Sequence, residues 1–429
     1  MTLAMTVVFV LAYLAIALEH PIHLHKSASA LFGAAICWSI YALMSGDPHA
    51  VHHDLLENLA ESAGIVVFLM GAMTIVEIID GHGGFTIVTN RITTRNLRTL
   101  LWTITWITFF LSAILDNLTT TIVMVSLIRK LLAKRQDRLF FAGMVVIAAN
   151  AGGAWSPIGD VTTTMLWIGG QISAAAIVKG IFLPSILNLL VPLFVISLFL
   201  KGEVESPTSL RAEGGHTPAE VDSRERKLIF FMGVGALLFV PVFKTVTHLP
   251  PWMGVLFGLS VLWITTEILH RGKESTRAEQ LGVVQALRRI DLSSVLFFLG
   301  ILLAVGSLSA VGQLTHLAEW LEHAVGNTTA IVMLTGALSA IVDNVPLVAA
   351  GMGMYPMDLF PQDHFLWEFL AYCAGTGGSM LVIGSAAGVA AMGIEKITFG
   401  WYLQRIAPLA LLGYLAGAGT YVLQYALLH

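Results

Sequence analysis

The stretch SAILDNLTTTIVM, residues 112–124, sets Asp116 and Asn117 inside an apolar run. A second stretch, SAIVDNVPLVAA at 339–350, repeats its core with Asp343 and Asn344, 227 residues later. An ionisable side chain in an apolar setting is costly and marks a functional position by default. Its return in the same motif points to a chain built twice on one plan.

The surroundings of both motifs are those of a lipid-embedded chain. Of 429 residues, 56% are hydrophobic and 12% charged, against about 25% charged in a soluble domain. Mean hydropathy is +0.80. Apolar segments near 2–18, 27–45, 58–80, 98–115, 139–168, 177–200, 228–246, 253–269, 293–310, 365–392 and 405–427 approach the roughly 20 residues that cross a bilayer as helix. The short alternating segments of a β-barrel do not occur. The fold class is therefore an all-α polytopic membrane protein. Residues 2–18 lack the basic start and small-residue cleavage site of a signal peptide and read as the first span. Cys37 and Cys373 lie in apolar runs and read as buried thiols.

Orientation follows from Lys and Arg, which concentrate on the cytoplasmic side. They cluster at Arg91, Arg95 and Arg98; at Arg129, Lys130, Lys134, Arg135 and Arg138; at Lys201, Arg211, Arg224, Arg226 and Lys227; and at Arg271, Lys273, Arg277, Arg288 and Arg289. Lys26, Lys396 and Arg405 complete the set, while the loops near 46–57, 169–176, 247–252 and 311–327 carry none. With both termini outside, 21 of the 23 basic residues face the cytoplasm. Lys179 and Lys244 are the exceptions, near helix ends where they can snorkel. Residues 98–132 are apolar with basic flanks on both sides, so the segment enters and leaves from the cytoplasm as a re-entrant hairpin with Asp116-Asn117 at its tip. The segment 327–353 has no basic flank and enters from outside.

Further matches support the repeat. FLMGAMTIVEIIDGHGG (68–84) aligns with FLGILLAVGSLSAVGQ (298–313), and GGAWSPIGD (152–160) with GGSMLVIGS (377–385). Each half then holds five crossings and one hairpin. Because five is odd, the halves have opposite topology, the inverted-repeat plan of secondary transporters. The first repeat is 1–200, with its broken helix at 139–168; the second is 228–429, with its broken helix at 365–392. The polar stretch 201–227 is a cytoplasmic linker. Amphipathic pieces at 84–97 and 314–325 read as interfacial helices leading into the hairpins.

The breaks carry the chemistry. Gly152, Gly153, Pro157 and Gly159 interrupt one helix, and freed carbonyls need partners inside protein or around an ion. Asn150, Ser156, Asp160, Thr162 and Thr163 offer side-chain oxygens there, and Thr376, Ser379 and Ser385 do so in the second break. Hard cations favour such oxygen ligands. Asp116 and Asp343 can cap the helices they precede, but their recurrence favours ion binding. Asp160, which can also be a cap and has no carboxylate counterpart in the second break, is taken with Asp116 as the main site because the first half carries more carboxylate. Glu77 and Asp80 read as a solvated helix end. His20, His23 and His25, and His49, His52 and His53, fall in loops and are left out of the site.

The DNLTTT and DNVP tips, together with GGAWSPIGD, closely resemble the NhaD-type Na⁺/H⁺ antiporters of the ion transporter superfamily. The resemblance runs from about 58 to 429. It implies a homodimer in a bacterial inner membrane, with a scaffold domain and a transport domain moving as an elevator. It also implies function for Asp116, Asn117, Asn150, Asp160, Thr162, Thr163, Ser339, Asp343 and Asn344. Carboxylate-carrying relatives typically read Ser-Asn-Thr at the tips. Asp in place of Ser favours a cation over a dicarboxylate or arsenite-type anion. The expected partners are Na⁺, Li⁺ and H⁺, which compete for the same carboxylates, and the lipid bilayer; no nucleic acid and no cofactor are expected. The chain has neither a P-loop nor a His-Glu-x-x-His metalloprotease set, and it reads as a transporter rather than an enzyme.

One outcome tests the topology. A cysteine placed at Gln136, in the loop 129–138, should be protected from a membrane-impermeant thiol reagent added outside. Labelling from the outer face would invert the orientation.

Overall fold

The computed structural model describes residues 2–428 apart from 90, 91, 93, 95, 201, 205–220 and 272–280. Arg91, Arg95, Lys201, Arg211, Lys273 and Arg277, most of the linker 201–227 and the side chain of His20 lie outside the described residues. Among those described there is no strand, only an isolated bridge between Asn96 and Glu203. Seven helices among the described residues are long and apolar enough to cross a membrane: Lys26–Met44, Pro48–Gly81, Ala174–Phe199, Ser223–Thr247, Pro251–His270, Leu292–Ala310 and Ala407–Leu428. Large apolar side chains such as Phe32, Phe199 and Leu427 stand on their outer faces, where acyl chains replace water. The chain is a multi-pass membrane protein. Cys37 and Cys373 are buried and unbridged.

The stretch expected as a loop at 46–57 is helix. Pro48–Gly81 runs 34 residues, which at 1.5 Å per residue is about 51 Å, more than a bilayer requires. Asp47 starts it by accepting the backbone N–H groups of His49 and Ala50 at 3.0 and 3.2 Å. Pro48 takes the first helical position, where no N–H is needed. His49, His52 and His53 therefore sit on a helix. At 84–97 only Thr86–Thr89, and Leu97 where the next helix begins, are helical among the described residues, whereas Gln313–Val325 forms a helix with Leu314 and Ala318 buried and Trp320 exposed.

The polar motifs fall at interruptions. Leu97–Ser112 is followed, after a short turn, by Asn117–Leu131, and Thr328–Leu338 by Asn344–Met354. Arg135–Ala154 stops before Val161–Ile168, and Phe365–Gly377 before Ala386–Glu395. Glycine makes the crowding possible, because backbone meets backbone. A methyl group on Gly152 would overlap the Phe109 carbonyl oxygen, and one on Gly377 the Gly336 carbonyl oxygen. On Gly159 it would lie 2.7 Å from the Ser112 oxygen, and on Gly384 2.5 Å from the Ala340 oxygen. Ser112 Oγ donates to the Ala149 carbonyl at 2.6 Å, and Ser339 Oγ to the Ala374 carbonyl at 2.8 Å. Residues at matching positions of the two motifs thus make matching contacts.

Two groups of helices pack separately. One comprises Thr2–Ala17, Lys26–Met44, Pro48–Gly81, Ser223–Thr247, Pro251–His270 and Leu292–Ala310. The other gathers both helix pairs that carry the motifs, both broken helices, Ala174–Phe199 and Ala407–Leu428. They meet chiefly where Asn344–Met354 lies against Leu292–Ala310 and where Pro48–Gly81 touches Val161–Ile168, and Gln313–Val325 packs on helices of both.

Gly384→Ala should lower thermal stability by an amount corresponding to about 1–3 kcal/mol of overpacking. Gly393→Ala, whose added carbon would meet nothing within 4 Å, is the control. Equal melting temperatures for the two variants in detergent would contradict the backbone contact as the reason for glycine.

Candidate ion-binding site

Each interruption ends in a side chain that starts the next helix. Asp116 caps Asn117–Leu131, accepting Thr119 N and Thr119 Oγ1, each at 2.7 Å. Asp343 caps Asn344–Met354 through Val345 N at 3.3 Å. Asp160 caps Val161–Ile168, with Oδ1 accepting Thr162 N at 2.9 Å and Thr162 Oγ1 at 2.6 Å. Ser385 caps Ala386–Glu395 through Gly388 N at 3.2 Å. Unpaired N–H groups and the aligned peptide dipoles make such ends electropositive, and three of the four hold a carboxylate.

The caps are linked across the molecule. Asn117 Nδ2 donates to Asp160 Oδ2 at 2.7 Å and to Asn150 Oδ1 at 3.1 Å. Asn344 Nδ2 reaches Asp160 Oδ1 at 3.4 Å. Asn150 Nδ2 donates to Ser385 Oγ at 3.0 Å. The asparagines of the two repeated motifs therefore converge on one carboxylate, which is 1% exposed. Thr163 beside it, and Thr120 and Thr121 after Asn117, have buried hydroxyl oxygens without a hydrogen-bond partner among the described residues. All are oxygens of the kind a hard cation takes as ligands.

Other candidates face elsewhere. Ser156 Oγ donates to the Ala113 carbonyl at 2.5 Å. Thr376 Oγ1 donates to the Tyr372 carbonyl and Ser379 Oγ to the Thr376 carbonyl, each at 2.6 Å. With Ser339 they donate to backbone carbonyls in or beside the interrupted helices. No hydrogen bond joins Asp116 to Asp160; the link runs through Asn117, the next residue in the chain.

Sequence reading missed two lysines. Lys26, grouped there with the cytoplasmic basic residues, places Nζ 3.1 Å from Asp343 Oδ2 and 4.5 Å from the centre of the Phe297 ring. Lys244, expected to snorkel outward, donates instead to the Trp167 carbonyl at 3.0 Å, at the C-terminal end of Val161–Ile168. Both bonds span the two helix groups. Buried Glu368, which accepts Tyr421 OH at 3.0 Å, and buried Glu395, paired with Arg138 at 3.1 Å, also went unread. No motif marks any of these residues, since their partners lie far away in sequence.

Comparison with known proteins adds an independent line. A family model described as "Citrate transporter" matches residues 9–367. "Sodium/proton antiporter 1" of Arabidopsis thaliana is 52% identical over 98% of this chain and 72% of its own length. "Na(+)/H(+) antiporter NhaD" of Vibrio cholerae is 32% identical over 98% of this chain and 91% of its own. The solved YdaH transporter of Alcanivorax borkumensis has the same fold, with a TM-score of 0.59 at 11% identity over 94% of this chain and 98% of that one. With its repeated Asp-Asn motifs and these relatives, the chain belongs to the NhaD-type sodium/proton antiporters, within the wider citrate transporter family.

Proposed function

We propose that the chain exports Na⁺, and Li⁺ with it, in exchange for H⁺, and that Asp160 holds cation and proton in turn. The observation that carries this reading is the convergence of Asn117 and Asn344 on Asp160. A carboxylate buried in this way needs a counter-charge or a proton, because an unpaired buried charge is costly. Lys and Arg are absent from its hydrogen-bond partners among the described residues. Its partners are amides and a threonine, and amides work both ways. Each NH₂ now donates to the carboxylate. Turned over about its side-chain axis, each amide presents a carbonyl oxygen to a cation at the same place. A dehydrated Na⁺ would then meet Asp160, the two amide oxygens and the hydroxyl oxygens of Thr162 and Thr163. A proton on Asp160 removes the charge that holds the ion, so the two cargoes exclude each other.

The family description raises citrate as cargo. A polyanion calls for positive groups in the site, and a buried carboxylate at its centre opposes one. Lys26, which reaches the second motif, is already paired with its Asp343. These features favour Na⁺.

The same reading takes the group with the helix pairs and breaks as the body that moves against the other group, with 1–200 and 228–429 as inverted repeats joined by 201–227. The helix pairs are its re-entrant hairpins, the assembly is a homodimer, and both termini face outward from a cytoplasmic membrane. Lys26–Asp343 and Lys244–Trp167 are then bonds that a transport step must break or remake.

Asp160→Asn keeps the shape of the site and removes its titrating group. In proteoliposomes it should reduce Na⁺-driven proton movement to the background of empty liposomes, with insertion and monodispersity unchanged. Exchange near the parent rate would sink the competition mechanism.

Lys26→Met and Asp343→Asn should each raise the Na⁺ concentration needed for half-maximal exchange, and the double variant should lose less than the two single losses combined. Direct partners of this kind couple by about 0.5–3 kcal/mol. Strictly additive effects would mean that the ion pair plays no part in transport.

A further inference from the structure

Away from the breaks, three helix ends in the other packing group meet at a second polar cluster. His82 follows the last turn of Pro48–Gly81, Glu225 lies in the first turn of Ser223–Thr247, and His270 is the last residue of Pro251–His270. All three are buried, at 0%, 7% and 6% exposure. His270 Nε2 lies 2.9 Å from Glu225 Oε1, and His82 Nε2 lies 3.9 Å from the same oxygen. The two imidazole rings stack with centroids 5.4 Å apart and planes 7° from parallel.

The hydrogen bonding of His82 restricts what this cluster can be. His82 Nδ1 lies 2.7 Å from the Ile78 carbonyl oxygen. A carbonyl only accepts, so Nδ1 carries the hydrogen. In the neutral ring, Nε2 then turns its lone pair toward a carboxylate oxygen. That lone pair and the Glu225 carboxylate lie on the same side, where one cation can take both as ligands. Anchoring of the far ring nitrogen by a backbone carbonyl is also how metal-binding histidines are commonly oriented.

The spacing suits a small ion. Zinc takes imidazole nitrogen at about 2.0–2.1 Å and carboxylate oxygen at about 2.0–2.2 Å, so ligand atoms at tetrahedral angles stand about 3.3–3.5 Å apart. One ligand atom from each of the three residues lies within 4.8 Å of the others, and the two nitrogen–oxygen separations of 2.9 and 3.9 Å bracket the tetrahedral value. Imidazole suits Zn²⁺ and its first-row neighbours, whereas Na⁺, Mg²⁺ and Ca²⁺ favour oxygen. We propose that His82, Glu225 and His270 form a site for a divalent transition metal of the Zn²⁺ class. It is distinct from the transported-ion site and ties together three helix ends of the group that lacks the breaks.

The test reads metal rather than transport, so it stands or falls independently of the function proposed above. The purified full chain is stripped with chelator, loaded with Zn²⁺ and dialysed. One equivalent per chain should remain, and the melting temperature should rise and fall again on re-stripping. Co²⁺ in its place should give the visible absorption of a tetrahedral site with nitrogen and oxygen ligands. Glu225→Gln and His270→Ala should each weaken Zn²⁺ binding by about tenfold or more, since even residues that merely support a ligand contribute 10–100-fold. Failure of the parent chain to retain Zn²⁺ would overturn the proposal whatever the variants do, as would parent-like affinity in both variants.

Discussion

The structure turns on the burial of one carboxylate at a break in a helix. Asp160 sits where Val161–Ile168 begins, and its charge is met by an electropositive helix end, a threonine and two amides delivered from distant parts of the chain. Much else serves to bring those amides there. Asn117 and Asn344 each follow an aspartate that caps its own helix. Capping fixes the first turn, and the first turn fixes the direction of the asparagine. The repeated aspartates are thus partly structural, and Asp343 has a lysine as its partner.

Breaking helices in an apolar environment exposes backbone that water cannot reach. The chain meets this in the same way twice, with glycines that let carbonyls pass at contact distance and serines that donate to them. Ser156 likewise donates across to the Ala113 carbonyl, while Thr376 and Ser379 bond back to carbonyls of their own segment. That leaves the two asparagines, Asn150, Asp160, Thr162 and Ser385 as the connected polar centre.

The fold class was legible because a bilayer imposes length and hydropathy on every span, and the interruptions showed as Gly, Pro and Asp-Asn inside apolar runs. The polar centre was legible through the repeated motif: Asn117, Asn150, Asp160, Thr162, Asn344 and Ser385 were all named from sequence. The start of Pro48–Gly81 was missed although Asp47-Pro48 is a plain helix-start signal, because the histidines and acids after it made the stretch look like a loop. The partners of Lys26 and Lys244 went unread for another reason. Charge counting treats each lysine as a marker of the cytoplasmic side or of a helix end, and says nothing about a partner 317 residues away. His82, Glu225 and His270 leave no local spacing to read, because three separate helix ends supply them.

The most direct test of the central claim is proton release on Na⁺ binding. NaCl is added to the purified protein in weakly buffered detergent solution, and pH and bound Na⁺ are followed together. If one carboxylate holds either cargo, Na⁺ should displace protons from the parent chain, while Asp160→Asn should bind no Na⁺ and release none. Na⁺ binding without acidification, or equal release from Asp160→Asn, would contradict competition at Asp160.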